Sequence, residues 1–208
     1  MLKFENFRKS YGTHLVLDLP DVQLPSGIYW LSGANGSGKS SLLRCISGMS
    51  SFNGQLMIDG LSSKSDGVSY RRLVNISEAE PLFPEFLTGT ELVGMFQQAK
   101  GKVASTAAVL LAEMGMEGYI ESPIGSYSSG MLKKLSLVLS FLGSPKWILL
   151  DEPLNTLDID SVAVLYHWIQ RNHQAGTSFI LSSHQRLDLT LLPFTNVVEI
   201  VSKQLLTR

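Results

Sequence analysis

Apolar residues are gathered along the first part of the chain in short runs, over residues 2–7, 15–22 and 28–31, broken by Gly12 and by Pro25-Ser26-Gly27. Short apolar-rich runs with such breaks predict strands joined by turns. After Gly38 the period lengthens to that of a helix, with Leu42, Leu43 and Ile46 on one face and Gly48 as its stop. Short strands are predicted over 55–58, closed by an Asp59-Gly60 turn, and over 73–76. From Pro81 the pattern is helical. Thr88 and Glu91 have capping-box spacing and open a helix through Leu92, Val93 and Phe96. Val103, Ala107, Leu110, Leu111 and Met114 mark a second helix, and Met131, Leu135, Val138 and Leu142 a third. A compact apolar run over 147–150 then predicts a strand, followed by a helix with Val162, Leu165, Tyr166 and Ile169 on one face and by closing strands over 179–181 and 197–201. Strands alternating with helices at both ends of a helical middle argue for an α/β core, residues 1–78 and 144–208, carrying a helical insertion over about 79–143.

Composition narrows the class. At 208 residues, with 44% hydrophobic and 17% charged, the chain suits one domain with a sizeable core and excludes a disordered segment or a coiled coil. Its 17 basic and 18 acidic side chains leave a net charge of −1, so no overall field draws it to nucleic acid or anionic lipid. Arg71-Arg72 and Lys133-Lys134 read as solvated pairs rather than a nucleic-acid stripe. Cys45 is the single cysteine, which suits a reducing compartment and reads as a small buried hydrophobe on the first helix. The start lacks a signal-like apolar run, and the apolar stretches near 135–150 are interrupted by Gly143, Pro145 and Lys146, short of the ~20 residues that span a bilayer. The expected location is the cytoplasm.

The strongest chemical signal is Gly33-Ala34-Asn35-Gly36-Ser37-Gly38-Lys39-Ser40, set between a predicted strand and a predicted helix as a phosphate-binding P-loop requires. Glycines let the backbone fold so that successive N–H groups point at phosphate oxygens, and the helix start adds its positive end. Lys39 would reach the β- and γ-phosphates, Ser40 would ligate Mg²⁺, and Ser41 completes the phosphate-binding run. The second signal is Trp147-Ile148-Leu149-Leu150-Asp151-Glu152-Pro153, an apolar strand ending in two carboxylates. Asp151 suits the Mg²⁺-associated carboxylate of such proteins, and Glu152 suits a general base or water-positioning group.

With these motifs in place, the chain resembles the nucleotide-binding subunit of ABC transporters over nearly its whole length. Tyr11 in Ser10-Tyr11-Gly12 matches the aromatic that stacks on adenine. Tyr127-Ser128-Ser129-Gly130-Met131 falls on the signature motif, Leu154-Asn155-Thr156-Leu157-Asp158 on the D-loop, Ser182-Ser183-His184 on the switch histidine, and Glu78-Ala79-Glu80-Pro81-Leu82-Phe83-Pro84 on the Q-loop region. The resemblance implies a P-loop NTPase of ABC-ATPase type, with a mixed-sheet core and an inserted helical subdomain, binding ATP and Mg²⁺. It further implies that Ser129, Gly130 and Asp158 act across a two-fold dimer on the nucleotide of the other subunit, and that His184 contacts the γ-phosphate and attacking water. The partner implied beyond the dimer is an integral membrane permease, with the chain peripheral on the inner face of the cell membrane. Phe83, Phe86 and Leu87 are the residues expected to meet it.

Two positions depart from the family pattern. Glu78, aligned by its spacing from Leu82-Phe83-Pro84, stands where the family has Gln; as a carboxylate it can still bind Mg²⁺, and Glu80 fits the same position under a shifted alignment. Met131 stands where the signature has Gln, and a thioether is only a weak acceptor. Tyr-Ser-Ser-Gly-Met resembles the variant of small export-type systems. Trp30 and Trp147 read as core, and His14, His167 and His173 are assigned no role. The rival readings are a soluble ABC-type ATPase not coupled to transport and a P-loop small-molecule kinase, the latter having no need of the signature, D-loop and His184.

Overall fold

The computed structural model describes residues 1–101, 104–183, 192 and 194–207, with the side chains of 104–106 and 207 left aside. Two sheets form the core. In the first, β1 (Leu2–Tyr11), β2 (His14–Leu24), β4 (Asn53–Ile58) and β5 (Leu61–Ser62) pair antiparallel in the order β2-β1-β4-β5. In the second, β3 (Ile28–Gly33), β6 (Val74–Ser77), β7 (Trp147–Asp151), β8 (Ser178–Ser182) and β9 (Asn196–Val201) run parallel, and β10 (Gln204–Thr207) closes one edge antiparallel, in the order β10-β9-β3-β8-β7-β6. The fold is therefore α/β with mixed strand directions.

Helix α1 (Lys39–Ile46) lies between the sheets. Leu42, Leu43, Cys45 and Ile46 pack with Leu2, Phe4 and Leu17 of the first sheet and with Tyr29, Leu31, Trp147 and Leu149 of the second. Cys45 is buried as expected, and burial pushes its thiol up to about 11. Alternate residues of the same strands, Ile28, Ile148, Leu150, Phe179 and Leu181, point the other way into a second cluster shared with α3 (Gly89–Lys100), α4 (Ala104–Glu113), α5 (Ser129–Ser140) and α6 (Ile159–Gln174). A parallel sheet covered on both faces needs apolar residues at every position, which is why β7 reads as an unbroken apolar run.

The Thr88–Glu91 capping box forms, with Glu91 N–H donating to Thr88 Oγ1 and Thr88 N–H to the Glu91 carboxylate. Helix α2 (Gly67–Arg72) and strand β10 have no counterpart in the sequence reading. Tyr70 anchors this helix: its ring is buried and its hydroxyl donates to the Ile46 carbonyl at 2.7 Å. Among the described residues, no helix is long and apolar enough to cross a membrane.

Candidate functional site

The loop after β3 is shaped by glycine. Gly38 has φ +106°, and a Cβ there would stand 2.8 Å from Val16 Cγ1; at Gly33, φ +146°, it would stand 2.7 Å from Ser37 Oγ. Any larger residue would meet both the backbone strain of the left-handed region and a neighbour. Helix α1 thus starts from a residue with no side chain to cap it and has no acid in its first turn, leaving its positive end to an anion. Lys39 is buried, with Nζ donating to the carbonyls of Gly33 at 2.8 Å and Ala34 at 3.1 Å. Burial pushes its ammonium pKa down, opposed by the nearby Glu152 and Asp151 charges. Ser37 Oγ is buried without a hydrogen-bond partner among the described residues.

Strand β7 delivers the two carboxylates. Asp151 and Glu152 are both buried, and Glu152 holds a left-handed backbone, φ +44°. Such a conformation persists in a non-glycine residue only where its surroundings fix it. Here Glu152 N–H donates to the Ser182 carbonyl at 3.2 Å and to Ser182 Oγ at 3.1 Å, while the Ser182 hydroxyl donates to Asp151 Oδ1. Ser182, at the end of β8, therefore braces both carboxylate residues. On the other side Lys133 of α5 donates from Nζ to the carbonyls of Asp151 and Glu78, each at 2.8 Å. Lys133 is 1% exposed, so the expected solvated pair with Lys134 does not form. Burial draws its ammonium pKa down to about 8 against the pull of Asp151, Glu152 and Glu78.

These elements meet in one open cleft of about 610 Å³. Of the residues expected at the site, Tyr11, Asn35, Gly36, Gly38, Lys39, Ser40, Ser41, Asp151 and Glu152 line it, and Gly33, Ala34 and Ser37 belong to the loop behind. Tyr11 is half exposed, its hydroxyl 3.3 Å from Ser41 Oγ and Lys9 Nζ 4.3 Å from its ring centre, so a cation backs the face-presenting aromatic. His14, Ala79, Glu80 and Asn155 also line the cleft. Glu78 does not: its Oε1 accepts from Arg44 Nε of α1 at 2.5 Å, whereas Glu80, the other residue expected at this position, lines the cleft. Because strand β6 stops at Ser77, Glu78 turns back over α1 before the chain reaches Glu80.

The residues fit a magnesium nucleotide. The glycine cradle, the unpartnered Ser37 hydroxyl and the buried Lys39 suit phosphate oxygens, and Ser40 with Asp151 offers hard oxygen donors. Among the described residues no cluster of three or more His, Cys, Asp or Glu could hold a metal ion by itself. A cation that keeps its waters and shares substrate phosphates needs no such cluster.

The signature lies apart from this cleft, and of the D-loop only Asn155 reaches it. Ser128 caps α5, accepting from Met131 N–H at 3.2 Å, and the exposed Ser129 begins the helix. A Cβ on Gly130 would stand 2.9 Å from the Thr156 carbonyl, so the signature glycine packs on the D-loop backbone. Asp158 caps α6, accepting from Ser161 N–H at 2.8 Å, and pairs with Lys134 Nζ at 2.8 Å. Both interactions, the Lys134 bond first, pull its carboxyl well below the usual range. His184 lies outside the described residues. Phe83 and Leu87 pack partly buried against the helical cluster, whereas Leu82 and Phe86 are 91% and 82% exposed.

Residues 21–155 match the sequence profile of the family described as ABC transporter. The chain is 32% identical over 187 residues to the lantibiotic transport ATP-binding protein SrtF of Streptococcus pyogenes, covering 88% of this chain and 80% of the relative. It is 30% identical over 197 residues to the uncharacterized ABC transporter ATP-binding protein YybJ of Bacillus subtilis, covering 92% and 89%. Among solved structures, an ATP-binding subunit of an ABC transporter shares the fold with a TM-score of 0.88 and 24% identity, over 99% of this chain and 88% of that one. A dimeric ATP-binding cassette, MJ0796, in a post-hydrolysis state bound to ADP and Pi, does so with a TM-score of 0.84 and 18% identity, over 99% and 96%.

Proposed function

The chain belongs to the ABC transporter family, and from that premise we propose that it is an ATP-hydrolysing subunit that drives a separate membrane permease. The observation that carries this reading is the convergence of the glycine loop, Lys39 and the buried Asp151–Glu152 pair on one cleft. Lys39 and the start of α1 bind the phosphates, Tyr11 offers its ring to the adenine, and Ser40 and Asp151 hold the cation. Bound Mg-ATP supplies the phosphoryl group and the charge neutralisation that its transfer needs. The Glu152 carboxylate, backbone-locked and mostly out of water, accepts a proton from the attacking water. Glu80 is the better placed of the two acidic candidates for the Q-loop position, since Glu78 is held by Arg44.

Ser129, Gly130 and Asp158 serve a second copy of the chain in a two-fold dimer, each nucleotide lying between one cleft and the partner's α5 start. The separation of α5 from the cleft supports this, as does the dimeric state named for the MJ0796 cassette. The exposed Leu82 and Phe86 form the apolar contact for the permease, in place of Phe83 and Leu87, which are committed to the helical cluster. Relatives named for lantibiotic and bacitracin transport support a small export-type system, with the chain peripheral on the inner membrane face.

Replacing Glu152 with Gln tests the reading. Loss of a general base costs about 10²–10⁴-fold in turnover, so kcat is expected to fall that far while ATP binding, followed by calorimetry, persists. Hydrolysis at the wild-type rate would remove Glu152 from the chemistry.

A further inference from the structure

Lys133 is not used by the function as derived above. An ammonium is strongly hydrated, and taking it out of water is costly unless its protons are accepted. At 1% exposure this one is accepted by two backbone carbonyls, of Asp151 and of Glu78, each at 2.8 Å. The first belongs to a residue that lines the cleft, and the second lies two residues before Glu80, which also lines it. The Asp151 carbonyl is one edge of the peptide that joins Asp151 to Glu152, and the opposite edge of that peptide, Glu152 N–H, is held by Ser182. The plane is thus pinned from both sides, at the place where the backbone takes its left-handed turn, φ +44°. The Glu78 carbonyl is where β6 gives way to the loop carrying Glu80, and the Glu78 carboxylate is separately clamped by Arg44 of α1. One turn further along α5, Ser136 Oγ lies 2.9 Å from Ser77 Oγ, a second tie between the same two elements.

We propose that Lys133 is a positioning residue for hydrolysis: by bridging the Asp151 and Glu78 carbonyls it fixes the direction in which the Glu152 carboxylate points and its separation from the Glu80 loop. The assignment rests on the ATPase reading above. It also links the helix that begins with Ser129 and Gly130 to the general base, because Lys133 stands one helical turn from that start. Misplacing a reacting group by a fraction of an ångström lowers turnover without weakening the binding of a ligand held elsewhere.

The test compares kcat with the ATP dissociation constant in Lys133→Met, which keeps the length and loses the donors, and in Lys133→Gln, whose shorter amide reaches one carbonyl. Lys133→Met is expected to lose about tenfold or more in kcat with ATP affinity within about twofold of wild type, and Lys133→Gln to lose roughly three- to tenfold at the same affinity. A folded Met variant with wild-type kcat, or one whose affinity falls as far as its kcat, overturns the proposal. Should the Met variant not fold, the Gln variant decides by the same two numbers. Glu152→Gln is measured alongside. If the wild-type chain itself does not hydrolyse ATP, the ATPase reading fails and takes Lys133 with it; if Glu152→Gln hydrolyses ATP as well as wild type, Glu152 is not the base and Lys133 has nothing to position; if Glu152→Gln is inactive while Lys133→Met is fully active, the positioning role alone falls.

Discussion

Helices α1 and α5 begin on stretches that each contain glycine and two serines, Gly38-Lys39-Ser40-Ser41 and Ser128-Ser129-Gly130-Met131, and neither has an acid in its first turn. Their settings differ. The start of α1 opens into a cleft with a buried lysine, two carboxylates and an aromatic already assembled around it. The start of α5 is capped by Ser128, lies at the surface, and contributes nothing to that cleft. Two helix starts free of acid therefore differ in company: on the proposed reading one is a nearly finished phosphate site and the other is incomplete without a partner. The distinction lies in what the rest of the chain brings alongside, and a second molecule is the natural source of what α5 lacks.

Substitutions at the two helix starts sharpen the contrast. Lys39→Ala removes a charge-assisted contact to phosphate, worth about 1.5–3 kcal/mol, so ATP affinity should weaken roughly 10- to 100-fold by calorimetry. Gly130→Asp puts a negative charge at the α5 start and crowds the Thr156 carbonyl. Turnover should drop about tenfold while the affinity of one chain for ATP changes less than about twofold. If affinity fell as far as in Lys39→Ala, the two helices would be doing the same job and the comparison would collapse. Ser128→Ala removes the α5 cap and should cost about 1 kcal/mol in urea unfolding. The smallest effect concerns Asp158. Its carboxyl titrates below the unfolded-state value of about 3.9, so below that pH the unfolded chain binds more protons and stability falls with falling pH. Because the side chain is 55% exposed, the share lost with acid is less than about 1 kcal/mol, and Asp158→Asn should flatten the urea midpoint between pH 5 and 3 by that amount.

The P-loop and the β7 tip were readable because their chemistry is written in consecutive residues: glycines that must bend, a lysine and serine that must follow, an apolar run that must end in acid. Ser182 and Lys133 were not, because each acts on a backbone group brought near by the sheet order and by α5, tens of residues away. A periodicity that put Met131, Leu135, Val138 and Leu142 on the buried face left Lys133 in solvent. Leu135, Ser136, Leu137, Val138, Leu139 and Ser140 are all buried along with it, since the second half of α5 is enclosed on every side, and an enclosed stretch of helix has no polar face for a pattern to reveal. Glu78 illustrates the same limit. Spacing favoured it over Glu80, and only the position of Arg44 on α1 shows which carboxylate turns away.

Strand β7 sends Trp147 and Leu149 into one cluster and Ile148 and Leu150 into the other, and is flanked by β6 and β8. Neither cluster can open without disturbing the strand, and the strand cannot detach without breaking both. Amide protons there should exchange with solvent only when the whole domain unfolds, whereas those of the Glu80 loop and the α5 start should exchange through local opening. The slowest-exchanging amides in the molecule would then lie directly beneath the carboxylates, so the two acids would stand on the part of the chain that is last to open.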